Sequence, residues 1–181
     1  MQNIKIRYMS KKAAKNIISS LESRRDIDPS FIEMLKEADE VRVAQGDKFE
    51  IVIFNSLVAL FKVKDLDIYM PTLYAINMLY HTKKMLVVPT VVVDEGAVDP
   101  LKRGAHVMVP GIRKILRSFS SGDIVAVMDP SERYFIVVGI ALVNSSNISP
   151  GTRGKGIRNI SHLDDNIWQA SLHLAKAMSS K

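Results

Sequence analysis

Residues 93–112 read Val93-Asp94-Glu95-Gly96-Ala97-Val98-Asp99-Pro100-Leu101-Lys102-Arg103-Gly104-Ala105-His106-Val107-Met108-Val109-Pro110-Gly111-Ile112, and the parsing of this stretch decides the fold. Glycines at 96 and 104 bracket a short helical turn, since glycine lets the chain leave one strand and enter the next at close range. Pro100 inside the bracket predicts a helix restarted at Asp99. The surrounding runs, Leu86 to Val93, His106 to Val109, Ile124 to Met128 and Tyr134 to Val143, are short, β-rich and divided by glycine. Strands of that length and density predict a small barrel or sandwich rather than a parallel sheet. Asp165-Asn166 then leads into Ile167, Trp168, Ser171, Leu172 and Ala175, the spacing of a terminal helix.

Upstream the texture differs. Ile4, Ile6 and Tyr8 alternate with polar residues, and Ala13, Ala14, Ile17, Ile18 and Leu21 then lay one apolar stripe along a helix that Ser10 is placed to cap. Asp28-Pro29 predicts a second helix with Phe31, Ile32 and Leu35 on its buried side. From Val41 to Tyr69 the period falls to two, broken at Asn55-Ser56, which predicts an antiparallel hairpin or meander. Pro71 and Thr72 open a helix carrying Leu73, Ile76, Met78, Leu79 and Tyr80 that ends near Lys83-Lys84. The expected class is α+β: a small N-terminal α+β unit packed directly against a β-rich second half.

A chain of 181 residues with 47% hydrophobic content is long enough for one ordinary domain or two small ones. Twenty-five Lys and Arg against 19 Asp and Glu leave a formal charge of +6, which favours a polyanionic partner. The absence of cysteine excludes disulfides, thiol catalysis and thiolate zinc sites, and His81, His106, His162 and His173 are too far apart for a local metal motif. No metal and no cofactor is expected. The longest apolar run, Tyr134 to Val143, is ten residues, well short of the roughly 20 that span a bilayer. A soluble, cytoplasmic protein without a membrane partner is the expectation.

The glycine-bracketed stretch is followed in order by Gly122-Asp123-Ile124-Val125-Ala126-Val127, Gly139, Gly154-Lys155-Gly156-Ile157, His162 through Asp165, and Trp168. This ordered set resembles a PUA domain, an RNA-binding β-pseudobarrel. Ile51 through Phe61 and Tyr69-Met70-Pro71-Thr72-Leu73 resemble the N-terminal domain of the malignant T-cell-amplified sequence family, also called translation machinery-associated proteins. The eukaryotic members carry a small-residue loop where this chain has Arg113-Lys114-Ile115-Leu116-Arg117. The resemblance implies an N-terminal α+β (pre-PUA) domain over residues 1–86, a PUA domain over 87–168 and a C-terminal helical extension over 169–181. It also implies binding to structured RNA, either tRNA or small-subunit rRNA, in translation initiation or recycling, with a partner resembling density-regulated protein. The alternative is a detached tRNA-binding accessory subunit of an RNA-modifying enzyme such as archaeosine tRNA transglycosylase.

Charge placement agrees with an RNA partner independently of the resemblance. Lys102, Arg103, Arg113, Lys114 and Arg117 lie between Pro100 and Gly122 with no acid among them, and Arg153, Lys155 and Arg158 repeat the pattern between Ser146 and Leu163. Neutralising phosphates needs such a concentration of bases, and these eight residues are the expected RNA-binding set. No catalytic residues are expected. His162 with Asp164 and Asp165 reads as a helix cap beside a packed histidine, since no nucleophile elbow accompanies it. Asp123 reads as a turn cap. Asp65 and Asp67 read as charges along one face of an edge strand. Gly151-Thr152-Arg153-Gly154-Lys155-Gly156 lacks the spacing of a phosphate loop and reads as a flexible loop between strands.

Overall fold

The computed structural model describes residues 3–180; the outermost positions of the expected first and last segments, residues 1, 2 and 181, lie outside the described residues. The first unit starts with strand β1 (Lys5–Tyr8) and helix α1 (Lys11–Glu22), where the Ser10 hydroxyl accepts the Ala13 N–H at 3.1 Å. Ala14, Ile17 and Leu21 are the buried positions of its stripe. Helix α2 (Pro29–Lys36) is capped by Asp28 and buries Phe31, Ile32 and Leu35, as the proline and the apolar spacing predict. Strands β2 (Val41–Gln45), β3 (Phe49–Phe54) and β4 (Leu57–Val63) form the antiparallel meander, and β5 (Met70–Pro71) closes a sheet of order β1-β2-β3-β4-β5. Pro71 therefore ends a strand instead of opening the helix. Thr72 caps α3 (Leu73–Lys83), its hydroxyl accepting from Ala75 N–H and donating to the Val58 carbonyl. Asp65 and Asp67 lie in the loop after β4, not on a strand, because the ladder stops at Val63 and Asp67 turns to Lys62 at 3.6 Å.

The second unit comprises β6 (Thr90–Val93), α4 (Glu95–Lys102), β7 (Val107–Met108), a 3-10 turn over Val109–Gly111, β8 (Ile112–Ile115), β9 (Ile124–Met128), β10 (Phe135–Ala141), β11 (Lys155–His162) and α5 (Asn166–Ser179). Its strand order is β7-β11-β10-β9-β6-β8. The two outermost strands are separated in sequence by only the three-residue turn, so the sheet has to curl round on itself. That curl is the pseudobarrel implied by the resemblance. Two strands were not expected. Strand β8 occupies Ile112–Ile115, and β11 begins at Lys155, inside the stretch expected to be a loop between strands.

Helix α4 does not restart at Asp99. Asp94 accepts the Ala97 N–H at 3.0 Å and starts the helix at Glu95, so Gly96 lies inside its first turn and Pro100 forfeits one intrahelical bond. Only Gly104, at φ +94, supplies the left-handed residue that ends it. Gly139 has a different role. A Cβ there would stand 2.1 Å from the Arg158 carbonyl oxygen, at the point where the register of β10 against β11 shifts. A side chain would push the two strands apart.

Val91, Val93, Leu101, Val107, Val125, Val127 and Ile157 are among the side chains that fill the barrel interior. The opposite face of the same sheet, with Val92, Ala126, Met128, Phe135 and Val138, belongs to one continuous core with α1, α2, α3, β3, β4 and α5. Alternation along β6 and β9 thus sends successive residues into two cores. Trp168 packs at the margin of the shared core, and Leu172 on the same helix is exposed. Buried Asp26 clamps the junction: Arg24 donates to both of its carboxylate oxygens at 2.9 and 2.7 Å, and Ile124 N–H donates at 2.6 Å. Asn77 on α3 makes a second tie, accepting from Phe135 N–H at 2.8 Å and donating to its carbonyl at 3.1 Å.

Candidate nucleic-acid interface

The eight expected bases fall on the second unit in three settings. Arg113 and Lys114 on β8 and Arg153 in the loop before β11 line one open groove of about 460 Å³, together with the apolar side chains of Ile112, Ile148 and Pro150. The loop is shaped by its own contacts, with the Ser149 and Thr152 hydroxyls 3.0 Å apart and Thr152 donating to the Asn147 carbonyl. Lys155 follows at the start of β11, pairing with Met108, and is exposed.

Lys102 and Arg103 form the second group, at the C-terminal end of α4. Asn159 on β11 latches that end by donating to the carbonyls of Leu101 and Ala105 at 3.1 and 2.9 Å, while its N–H donates to His106 Nδ1. Arg158, next to Asn159, is exposed. The Lys102 ammonium sits 5.9 Å from the centroid of the Tyr134 ring.

Arg117 is in neither group. It is half-buried and donates to the Asp26 carbonyl at 3.0 Å across the junction, so its guanidinium is engaged by the protein's own backbone. Lys114 also has a partner, Glu132 at 2.8 Å, but Lys114 is exposed and Glu132 only half-buried, and such a surface pair is worth at most about 1 kcal/mol.

The turn carrying Glu132 and Tyr134 is organised by Asp129. Its Oδ1 accepts the N–H groups of Arg133 and Tyr134, and its Oδ2 accepts the N–H and hydroxyl of Ser131. Burial pushes this carboxyl up, yet the Ser131 hydroxyl and the three backbone donors outweigh it and hold Asp129 below the usual carboxylate range.

The residues weighed as catalytic are occupied with structure. Asp165 accepts from Trp168 N–H, His162 N–H and the Ser161 hydroxyl, capping α5, while His162 Nδ1 faces the Leu163 carbonyl at 2.7 Å. Asp123 accepts the Ser120 N–H and closes a turn. Among the described residues no three His, Asp or Glu side chains converge as a metal site, and no helix is long and apolar enough to cross a membrane. A second groove, of about 430 Å³ between α1 and Asp67–Tyr69, has Arg24 as its base and Asp67 as its acid and so offers no net attraction to a polyanion.

Comparison with known proteins matches residues 89–163 to the PUA domain. An uncharacterized protein of Methanocaldococcus jannaschii is 35% identical over 162 residues, covering 89% of this chain and 93% of that protein. Malignant T-cell-amplified sequence 1 of Rattus norvegicus is 27% identical, covering 82% of this chain and 80% of its own. Translation machinery-associated protein 20 of Eremothecium gossypii is 26% identical, covering 77% of each. The crystal structure of a hypothetical protein from Pyrococcus horikoshii superposes with a TM-score of 0.78 at 33% identity, over 92% of this chain and 99% of that one.

Proposed function

Because the chain belongs to the malignant T-cell-amplified sequence and translation machinery-associated family and carries its PUA domain, we propose that it is an RNA-binding protein of the translation apparatus. Its target in this reading is structured RNA, either tRNA or small-subunit rRNA, in initiation or recycling in the cytoplasm. Residues 1–86 form the N-terminal unit, 87–168 the PUA domain and 169–181 the extension, with α5 running across the last boundary. The N-terminal unit is a second binding face, open to a protein resembling density-regulated protein.

The observation that carries this reading is the arrangement of bases around β7, β8, β11 and the end of α4. Lys102, Arg103, Arg113, Lys114, Arg153, Lys155 and Arg158 stand on a rigid barrel, and all but the half-buried Lys102 are exposed. Each phosphate neutralised by such a base releases counterions, which is the main source of affinity for a nucleic acid. Shape selection comes from the fixed curvature of the barrel, which fits the backbone and 2′-OH groups of a folded RNA better than those of a flexible strand. Arg117 is assigned to the junction.

Two measurements test the reading. Lys102→Ala with Arg103→Ala is expected to weaken binding to a folded tRNA while leaving the melting temperature unchanged; equal affinity in wild type and variant removes the pair from the interface. The full-length protein is expected to co-purify with small ribosomal subunits. Co-purification with a tRNA transglycosylase instead would overturn the assignment in favour of an accessory subunit.

A further inference from the structure

From Ile68 to Val93 the chain contains no acidic residue, and the end of α3 carries exposed His81, Lys83 and Lys84. None of these lies in the sequence-derived RNA set. A series of contacts connects Lys84, the last of them, to it. The Lys84 ammonium lies 4.9 Å from the centroid of the Tyr80 ring, and the Tyr80 hydroxyl donates to the Glu132 carbonyl at 3.3 Å. Glu132 pairs with Lys114, the next residue Arg133 is exposed, and Tyr134 lies under the Lys102 ammonium. These contacts link α4, over the Asp129-organised turn, to the C-terminal end of α3, with one carboxylate on the path, that of Glu132, held by Lys114.

The geometry of this path is fixed. Asn77, less than two turns before Lys83, holds α3 to the backbone of Phe135 through both the NH2 and the oxygen of its side-chain amide, and Tyr80 stacks edge-on against the Phe135 ring at 5.4 Å. The bases on the two sides of the junction thus keep a constant spacing, as a folded polyanion requires.

Complementing the carbonyl end of α3 explains positive charge at that place. It does not explain Lys84 itself, which ends the helix at φ +53 where glycine would do so without strain. The cap geometry alone does not call for a lysine, and its ammonium, laid over the Tyr80 ring, is presented at the junction.

We infer that the RNA track crosses the junction between the two units, with Lys83, Lys84 and Arg133 as phosphate contacts additional to those on the pseudobarrel. This rests on the RNA-binding reading above. It makes α3 part of the RNA-binding surface and predicts a footprint longer than the pseudobarrel alone supplies.

The test uses the full chain and a folded tRNA transcript, with affinity measured between about 0.05 and 0.3 M salt. The first variant is Lys83→Ala with Lys84→Gly, in which glycine relieves the left-handed cap, so the melting temperature is expected to hold or rise. Loss of two phosphate contacts lowers the salt slope by about 1.4 to 1.8 and the affinity at 0.15 M salt roughly ten- to thirtyfold. Arg133→Ala, on the other side of the junction, is expected to lower the slope by about 0.7 to 0.9. If both variants keep wild-type affinity and slope while Lys102→Ala with Arg103→Ala loses affinity, RNA binding stands and the extended track is overturned. If wild type itself binds neither the tRNA nor a folded small-subunit rRNA fragment, the underlying reading falls and the track with it.

Discussion

Replacing Asp26 by alanine breaks the clamp between the two units, and the structure sets the size of the effect. The carboxylate is 1% exposed and accepts three hydrogen bonds, two from Arg24 and one from Ile124 N–H. Its removal leaves the Ile124 N–H unpaired in a fully buried position, which costs about 1–3 kcal/mol. Arg24 loses a bidentate charged partner, but its side chain is 23% exposed and keeps the Gly122 carbonyl at 3.3 Å, so that loss is nearer 1 kcal/mol. The sum, about 3 kcal/mol, lies at the low end for breaking a buried pair. For a chain of this length it lowers the melting temperature by about 6–12 °C. Asp26→Asn, which keeps an acceptor for Ile124, is expected to lose about half as much. Arg24→Ala in the Asp26→Ala background should add little, since the partner is already gone. Calorimetry on the four proteins measures this, with RNA affinity recorded below the transition and expected to be unchanged. A shift below about 2 °C for Asp26→Ala would show that the clamp contributes no energy and refute the reasoning.

Gly139→Ala forces a Cβ to 2.1 Å from a backbone oxygen and 2.9 Å from Ile157 Cγ2, so it should destabilise by about 3 kcal/mol or more in urea unfolding; a neutral result would mean that β10 and β11 are not held at the bulge. The depressed Asp129 carboxyl contributes stability that is present above its unfolded value, about 3.9, and is lost as pH falls through the lower folded value. Asp129→Asn should therefore lower stability at pH 7 and flatten the acid side of the stability profile, and an unchanged acid slope would contradict the assignment. A fragment of residues 85–181 should retain β-type circular dichroism because the barrel interior is its own core, yet self-associate because Val92, Met128, Phe135 and Val138 lose their cover. A monomeric fragment by light scattering would contradict the shared core.

The helix starts at Ser10, Asp28, Thr72 and Asp165 are readable from sequence because a cap is local: the side chain and the N–H groups it satisfies lie within three residues. The first meander is readable for another reason: β3 and β4 are buried on both faces, and their apolar runs are divided by the polar pair Asn55-Ser56. Strand β8 escapes the same reading because Arg113, Lys114 and Ile115 are all exposed and no buried face marks it. Strand β11 escapes because the bulge opposite Gly139 breaks its alternation. Asp94 was hidden by Pro100, whose usual role as a helix starter pointed to Asp99. The junction is the least legible feature. Asp26 meets Ile124 across 98 positions and Asn77 meets Phe135 across 58, and nothing local to either residue announces a distant backbone partner. The same distance explains why Arg117, an ordinary base in a basic run, turns away from the others, and why Lys83 and Lys84 join them.

The most direct test of the central claim is a competition titration of the full chain at about 0.15 M salt, where exposed charges are screened beyond roughly 8 Å, between a folded tRNA and an unstructured RNA of equal length. Preference for the folded RNA is expected, with a slope of log affinity against log salt near −3 to −4 for about five contacts on the pseudobarrel, steeper by the extra contacts if α3 takes part. Indistinguishable affinities for the two RNAs would reduce the protein to a basic surface that adheres to polyanions, and a slope near zero would contradict phosphate recognition altogether.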